Sequence, residues 1–170
     1  MSNTASIEHV IERLNARFGN DIRSAEMLYD VMTIEVPANK IIEVLKALQA
    51  DEQTPFQFLT SLCGMHYPHF AKERQFGVVY HMHCLTSNLR LRIKIFLHAE
   101  KLEVETATGL YATANWMERE AFDFYGIRFK GHPNLIRILN MEDMVPFPMR
   151  KDFPLEDQRR EDKADEMFGR

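Results

Sequence analysis

Apolar and polar residues alternate most regularly over residues 89–97. Leucine or isoleucine occupies every second position of this segment, and basic residues or Phe96 lie between them. A period of two over this length predicts a β-strand with one buried face and one solvated face. Residues 77–85 predict a second strand, and the short link at residues 86–88 favours a hairpin between the two.

Two segments near the start of the chain carry apolar residues at helical spacing. Residues 7–18 predict an amphipathic helix with Ser6 as its N-cap and Gly19 as its stop. A second helix is predicted after Asn39, its candidate cap, and should end before Pro55. The predicted buried face of this second helix consists of Ile41, Val44, Leu45 and Leu48.

A third helix is predicted to begin at Thr108. One narrow stripe of this helix can meet a sheet, and it consists of Leu110, Ala114, Met117, Ala121 and Phe124. Trp116 and Phe122 lie off the stripe, which indicates either deep burial or contact with something outside the domain. Arg119 and Asp123 stand four residues apart, and this spacing predicts a surface ion pair.

The remaining apolar runs are shorter. Residues 27–36 are rich in β-branched and aromatic residues and stop at Pro37, which predicts one strand. Residues 56–62 fit either another strand or a short helix. Together with the helices, these runs predict an α+β domain over residues 1–125, with an antiparallel or mixed sheet and helices packed on one face.

The chain changes character after Tyr125. Glycines and prolines interrupt every potential long element between residues 126 and 155, yet this segment has too many large apolar residues for disorder. From Gly126 to Lys151 it holds five cations and two carboxylates, a net charge of +3 in an acidic protein. We therefore predict an extended, irregular, basic docking arm at residues 126–155, suited to an acidic or carbonyl-rich partner. Residues 156–170 form a charged tail, either solvated or clasping a partner.

Composition and charge narrow the class of protein. The 170 residues suit one domain, and no apolar run approaches the roughly 20 residues that span a bilayer. The first residues lack the features of a secretory or transit signal. A net charge of −4 argues against nucleic-acid binding. The only cysteines are Cys63 and Cys84, and without a secretory signal we expect two free thiols.

Cysteine and histidine cluster at two places with spacings reminiscent of metal ligands. The two groups are Cys63, His66 and His69, and His81, His83 and Cys84. The spacing matches no closed zinc site, and in a regular strand Cys84 points away from both histidines. Core thiols and hydrogen-bonded histidines are the favoured interpretation, and no Cys-x-x-Cys pair is present to hold an iron–sulfur cluster.

Glu118 and Glu120 flank Arg119 and could be read as a general acid and base. At positions i and i+2 of a helix the two carboxylates do not face each other, which favours structural ion pairs instead. The sequence also contains no phosphate-binding glycine loop, nucleophile elbow or metalloprotease helix. The isolated chain is therefore predicted to be non-catalytic.

Residues 118–139, EREAFDFYGIRFKGHPNLIRIL, resemble the signature of the family formed by the C subunit of respiratory complex I. Residues 114–116 fit the same block, and residues 149–155, MRKDFPL, resemble its closing segment. Residues 144–148 depart from the Trp-x-Gly form common between the two blocks. The preceding sheet region agrees with the family in pattern only.

This resemblance implies a non-catalytic scaffold in the peripheral arm of a proton-translocating NADH:quinone oxidoreductase, on the cytoplasmic side of the cell membrane. It implies the D subunit as the main partner, the iron–sulfur B and I subunits nearby, and membrane association through the complex only. NADH, FMN, iron–sulfur clusters and quinone are expected in other subunits, and no cofactor or metal in this one. The implied partner contacts are Trp116, Glu118, Arg119, Glu120, Phe122, Asp123, Gly126, Phe129, Gly131, His132, Pro133, Arg137, Arg150, Lys151 and Asp152.

Two other functions stay open. An equivalent subunit of a ferredoxin-fed complex or a membrane hydrogenase fits the same resemblance, because a scaffold does not reveal the electron donor. The lower alternative is a small zinc enzyme that uses Cys63, His66, His69, His81 and His83.

Overall fold

The computed structural model describes residues 3–154. Its helices are α1 (Asn3–Phe18), α2 (Ile41–Gln49) and α3 (Ala114–Tyr125). Its strands are β1 (Ser24–Leu28), β2 (Val31–Glu35), β3 (Phe58–His66), β4 (Phe76–Cys84), β5 (Leu89–Leu97), β6 (Glu103–Glu105) and β7 (Arg128–Lys130). The predicted tail at residues 156–170 lies outside the described residues.

The main sheet has the strand order β1-β2-β5-β4-β3. Neighbouring strands pair antiparallel except β2 and β5, which run parallel. The predicted hairpin joins β4 to β5, with Cys84 opposite Leu89 beside the turn. The sheet is therefore mixed, and the α+β class is confirmed.

The core lies on one face of this sheet. The leucines and isoleucines of β5 are at most 3 % exposed and join a single cluster with apolar residues of α1, α2 and α3. The predicted face of α2, including Ile41 and Leu48, is buried in the same cluster. Residues 58–62 belong to β3, so the strand alternative is correct for that segment. The core thus sits between one sheet face and the helices, as the alternation predicts.

The single strand predicted at residues 27–36 is wrong. The chain forms a hairpin there, β1 to β2, and its two-residue loop consists of Tyr29 and Asp30. Both loop residues have positive φ, 51° and 61°, as a type I′ turn requires. Such turns usually carry Asn-Gly or Asp-Gly, and Tyr-Asp gives no such signal.

Both predicted helix caps are also wrong. α1 begins at Asn3, so Ser6 lies inside the helix, although the helix does end just before Gly19. At α2 the capping position is Lys40, with no side-chain cap, and Asn39 lies in the preceding 3₁₀ turn, Ala38–Lys40. That turn supplies the entry into α2 that a side-chain cap would otherwise provide.

α3 begins at Ala114, six residues later than predicted. The residues before it form turns, anchored where the Tyr111 hydroxyl donates to the carbonyl of Phe56 at 2.8 Å. Only Ala114 and Ala121 of the predicted stripe are buried. The other buried members of α3 are polar: Glu118, Arg119 and Asp123. The stripe prediction holds for Leu110, Ala114, Met117 and Ala121, which pack in or against the core cluster, and fails for Phe124. The sequence pattern did not reveal the buried polar side chains.

A second, two-stranded sheet brackets α3. β6 precedes the helix, β7 follows it, and the two strands pair in parallel, with Val104 opposite Phe129. Ile127 and Phe129 are at most 2 % exposed and belong to the core cluster. The first residues of the predicted irregular arm are therefore a strand of the folded domain.

Candidate docking site

α3 and residues 131–153 form one structure in which buried polar side chains of the helix bind the backbone of the following segment. We call residues 131–153 the arm. α3 ends at Tyr125 and is followed by Gly126, a left-handed C-cap with φ of 77° whose N–H donates to the carbonyl of Phe122. This sharp end directs the chain into β7 and then back along the helix.

Asp123 organises the middle of the arm. Its carboxylate is fully buried and accepts hydrogen bonds from the backbone N–H groups of Ile138, Leu139 and Asn140 at 2.8–3.1 Å. The Asn140 amide and the Arg137 guanidinium add bonds at 3.0 and 2.7 Å. Burial opposes ionisation, but the bonds from Asn140, Leu139 and Arg137 outweigh it and hold the pKa of Asp123 below its usual value.

Arg137 is the cation in this arrangement. Besides the Asp123 carboxylate, it donates to the Asp123 carbonyl at 2.9 Å and to the carbonyls of Met144 and Pro146 at 2.5 and 3.3 Å. Its guanidinium also lies 5.1 Å from the centre of the Phe147 ring. One side chain therefore closes the loop from residue 137 to residue 147.

Arg119 binds the start of the arm. Its guanidinium donates to the carbonyls of Ile136 and Arg137 at 3.1 and 3.2 Å, and it lies 5.0 Å from the Trp116 ring centre. The predicted surface pair of Arg119 with Asp123 is wrong. Both side chains are buried, and each uses partners from the arm that i,i+4 spacing could not reveal.

Arg150 binds the end of the arm to the carboxyl end of α3. Its Nε donates to the carbonyl of Tyr125 at 2.8 Å, and its guanidinium lies 5.0 Å from the ring centre of Phe76 and 4.6 Å from that of Phe147. A Cβ at Gly126 would come within 2.7 Å of this guanidinium and of Phe147. Glycine is thus required here both for its backbone angle and for space.

His66 of β3 holds the next residue of the arm. Its Nδ1 accepts a hydrogen bond from the backbone N–H of Lys151 at 2.9 Å, and its ring stacks on Phe76 at 4.3 Å. The side chains of Lys151 and Asp152 are exposed. The end of the arm is therefore fixed by its backbone, while its charges face solvent.

Glu118 binds the segment that precedes α3. Its buried carboxylate accepts hydrogen bonds from the Thr106 hydroxyl and the Ala107 N–H at 2.5 and 2.7 Å. Burial raises the pKa of Glu118 to about 7, against the lowering effect of these two bonds. Neither Glu118 nor the exposed Glu120 forms an ion pair with a described residue, so the predicted pairing is wrong.

The other predicted contacts divide between interior and surface. Phe129 is buried in β7, and Phe122 packs edge-on against Phe147. His132 accepts from the Asn134 N–H through Nδ1, so its Nε2 donates to the Asn115 carbonyl at 3.1 Å. Gly131 and Pro133 lie exposed in the turn after β7. Direct contact with a partner stays a prediction for the exposed members of the set.

Large apolar side chains remain exposed on α3 and on the arm. We call them the docking patch: Trp116, Ile136, Leu139, Met141, Val145 and Met149, each 46–85 % exposed. Ile136 also lines a cavity of about 280 Å³, together with Phe122, Arg137 and Glu142. The predicted contact set contained Trp116 and missed the other five members of the docking patch, because a residue pattern does not show which apolar side chains of an irregular segment point outward. Exposed apolar groups on an ordered backbone are typical of a protein interface.

The cysteine and histidine groups do not converge. Cys84 is buried on the core face and contacts the Ser87 hydroxyl, whereas His81 and His83 lie on the opposite face. Both cysteines are free thiols, as predicted. Within residues 3–154, no three His, Cys, Asp or Glu side chains are placed to hold a metal, so the zinc enzyme finds no support.

The signature residues of the sequence are therefore the residues that hold the arm on α3. Residues 34–159 match the family model described as respiratory-chain NADH dehydrogenase, 30 Kd subunit. The chain belongs to this family. The predicted resemblance to the C subunit of complex I is confirmed.

Relatives of the 30 Kd subunit family align over most of the chain. The C 2 subunit of NADH-quinone oxidoreductase from Rhizobium etli is 41 % identical over 153 residues, which cover 88 % of this chain and 80 % of the relative. The C subunit of the same enzyme from Citrifermentans bemidjiense is 37 % identical over 157 residues, covering 92 % and 95 %. These relatives favour the NADH-quinone oxidoreductase over the ferredoxin-fed or hydrogenase alternative.

Solved structures carry the same fold. The trypsin-resistant fragment (1-134) of Nqo5 superposes with a TM-score of 0.66 at 26 % identity, covering 76 % of this chain and 98 % of the fragment. A chain of the membrane-bound sulfane sulfur reductase, an archaeal respiratory membrane complex, gives 0.73 at 21 % identity, covering 88 % and 86 %. The latter likeness concerns the fold alone. In residues 3–154 of this 30 Kd subunit family member, no helix is long and apolar enough to cross a bilayer.

Proposed function

We propose that this chain is a structural subunit in the peripheral arm of a proton-translocating NADH:quinone oxidoreductase and that it transfers neither electrons nor protons itself. The way in which α3 and the arm use their polar groups supports this role. Asp123, Arg119 and Arg137 bind backbone groups of their own chain. Such groups fix the shape of a surface.

The observation that carries the proposal is the docking patch on its ordered arm. The arm has little regular secondary structure, yet ionic and hydrogen-bonded anchors fix it before any partner binds. A surface ordered in advance loses less conformational entropy on association than a flexible one. The arm is therefore suited to permanent docking.

The D subunit is the proposed main partner of the docking patch, with the iron–sulfur B and I subunits beside it. The net charge of +3 between Gly126 and Lys151 suits an acidic or carbonyl-rich surface at the rim of such an interface. In this arrangement Trp116 and Leu139 fill the apolar centre, where a few side chains dominate the binding energy. Lys151 and Asp152 lie at the polar rim.

Clamping is the proposed mechanical contribution. By fixing its partner, the arm keeps the quinone pocket and the last iron–sulfur cluster at a constant spacing. NADH, FMN, the clusters and quinone bind in other subunits, and this chain holds no cofactor or metal. It reaches the cytoplasmic side of the cell membrane only through the complex.

Paired substitutions test the role of the docking patch. Trp116→Ala with Leu139→Asp should reduce the complex recovered from gently solubilised membranes about fivefold or more. NADH:quinone activity per assembled complex should stay unchanged. Tyr29→Ala is the matched control, because Tyr29 is a 93 % exposed aromatic at the far end of the sheet. Normal assembly with abolished turnover would refute a scaffold role and indicate a catalytic one.

A further inference from the structure

The sheet has a second face that the arm and the docking patch do not use. On β5, Arg90, Arg92 and Lys94 point away from the core, since the residues between them are buried. We call these three residues the basic stripe. Across β4 they stand opposite His83, His81 and Val79.

The charges of the basic stripe are not neutralised within the described chain. No carboxylate of residues 3–154 lies within 4.0 Å of any of the three cations. The acid nearest in register, Glu35 opposite Lys94, is already bound by Arg74 at 2.6 and 2.8 Å and by Arg23 at 3.6 Å. The centre of this face is therefore positive in an otherwise acidic protein.

The side chain of Arg92 is held in place by its neighbours. Its Nε donates to Nε2 of His81 at 3.0 Å, and one terminal nitrogen reaches the Thr33 hydroxyl at 3.4 Å. Because Nε2 accepts, the His81 proton lies on Nδ1, which is buried and has no partner among the described residues. Burial, then Arg92 and Lys94, lower the pKa of His81, so the ring stays neutral.

The spacing of the stripe suits one kind of partner. Alternate residues of a β-strand project on the same side, about 6.6–6.8 Å apart. A second extended segment that runs along β5 repeats this distance, so carboxylates at every second residue of that segment would meet all three cations. Unlike the docking patch, this face presents a row of three cations.

We propose that the basic stripe binds an extended acidic segment of a neighbouring polypeptide, with Asp or Glu at alternating positions. This second interface lies on the opposite side of the sheet from the core. That this neighbour is a subunit of the same assembly rests on the proposed function. The inference adds a contact that none of the predicted partner residues covers.

Nucleic acid is a poorer match for this face. Glu26 and Glu35 point to the same side from β1 and β2, and the chain carries a net charge of −4. Two other occupants are separate outcomes of the test: a second copy of this chain, and the chain's own residues 155–170.

Zero-length carbodiimide coupling on the purified complex identifies the occupant, because it joins only amines and carboxylates in contact. Lys94 should couple to an Asp or Glu of a different polypeptide. Mass spectrometry should place that residue in a run with acids at alternating positions. Coupling of Lys94 to residues 155–170, to a second copy of this chain or to nothing would overturn the proposal.

Charge reversal tests whether the contact matters. Arg90→Glu with Lys94→Glu should lower the recovered complex about fivefold or more, relative to the amount of chain made. The control, Arg17→Glu with Lys46→Glu, makes the same change of charge on exposed residues of α1 and α2. Equal recovery of the two double variants would refute the inference.

A milder pair guards against misfolding. Arg90→Gln with Lys94→Gln removes charge without reversing it, at side chains that bond no described residue. We expect a smaller loss of assembly that high salt in the wild type reproduces, and no loss would count against the inference. The two proposals can fail separately. If Trp116→Ala with Leu139→Asp lowers the recovered complex and charge reversal of the basic stripe does not, this second interface is refuted and the proposed function stands.

Discussion

The sheet core and the arm have the same task, to hold a chain segment in place, and they achieve it by opposite means. Core residues such as Ile93 and Leu91 are held by apolar burial and by regular strand pairing. The arm is held by buried charges that bind its backbone, above all Asp123 and Arg137. Apolar burial tolerates variation in which residues meet, whereas charge–backbone anchors require particular residues at particular positions.

The same contrast explains where the family signature lies. A strand face needs only residues of suitable size, so it produces a pattern of apolar positions rather than a fixed set of residues. α3 and the arm need a carboxylate at position 123, an arginine at 137 and a glycine at 126, since each meets a specific geometric demand. Anchors of this kind therefore appear in the sequence as a motif of specific residues, whereas a packed core appears only as a periodic pattern.

The largest expected effect on stability comes from removing the Asp123 carboxylate that anchors the arm. Asp123→Ala removes the carboxylate that pairs with Arg137 and leaves three backbone N–H groups without their acceptor, which should cost about 3–5 kcal/mol. Hydrogen exchange should show lost protection at residues 138–140, while β4 and β5 stay protected. Asp143→Ala, an exposed carboxylate of the same arm, is the control. Equal loss of protection in the sheet would mean that the two regions are not separately stabilised.

A core truncation should have a slightly smaller but wider effect. Ile93→Ala opens a cavity at a fully buried position and should lower the free energy of unfolding by about 3 kcal/mol. Urea denaturation should show the whole chain unfolding earlier, because the arm has no support without the sheet. Leu139→Ala, at an exposed leucine, should change little. An arm that kept its protection while β5 lost it would contradict this dependence.

The pH dependence of stability distinguishes the two kinds of buried carboxylate. The pKa of Glu118 is about 7 in the folded state, above its usual 4.5, so folding favours the protonated form. The contribution of Glu118 to the free energy of unfolding is therefore greatest below pH 4.5. The free energy of unfolding then declines as the pH rises through 7. Glu118→Gln should remove about 2 kcal/mol of this decline, measured by urea denaturation between pH 5 and 8. Identical pH profiles for the two proteins would contradict the raised pKa.

The smallest effect should come from the end of α3. Gly126→Ala places a Cβ at φ 77° and against Arg150 and Phe147, which should cost about 1–2 kcal/mol. Gly109→Ala is the matched control, since a Cβ there meets nothing within 4 Å. Thermal unfolding of both variants would measure the difference. A Gly126→Ala protein as stable as the control would show that the arm can shift without loss.

The elements that could be predicted from the sequence are those in which a regular spacing of apolar residues extends over many positions. β5 could be recognised because five alternating apolar positions form a pattern that few other structures share. β6 and β7 have three residues each, too few to display a period, and they pair across an intervening helix. The Tyr29–Asp30 turn carried only a weak signal, because Tyr29 has a positive φ, which tyrosine rarely adopts, and no glycine follows Asp30 in the loop.

The candidate site could be located but not understood from sequence. The segment stands out through its signature and its basic, irregular character. The roles of its residues do not, because Asp123 and Glu118 bind backbone groups, which every residue carries and which leave no trace in a residue pattern. The i,i+4 spacing predicted Arg119 as the ion-pair partner of Asp123. In the fold, Arg137 of the arm forms that ion pair instead.

The anchoring of the arm by Asp123 determines the order in which parts of the protein can fold during synthesis. All the groups that bind the Asp123 side chain lie 14–17 residues downstream of it. The ribosome releases the chain from its amino end, so the strands of the main sheet and α3 emerge before those groups do. The proposed docking surface is thus completed after α3 and the main sheet. A newly made chain presents it only once the domain behind it is complete.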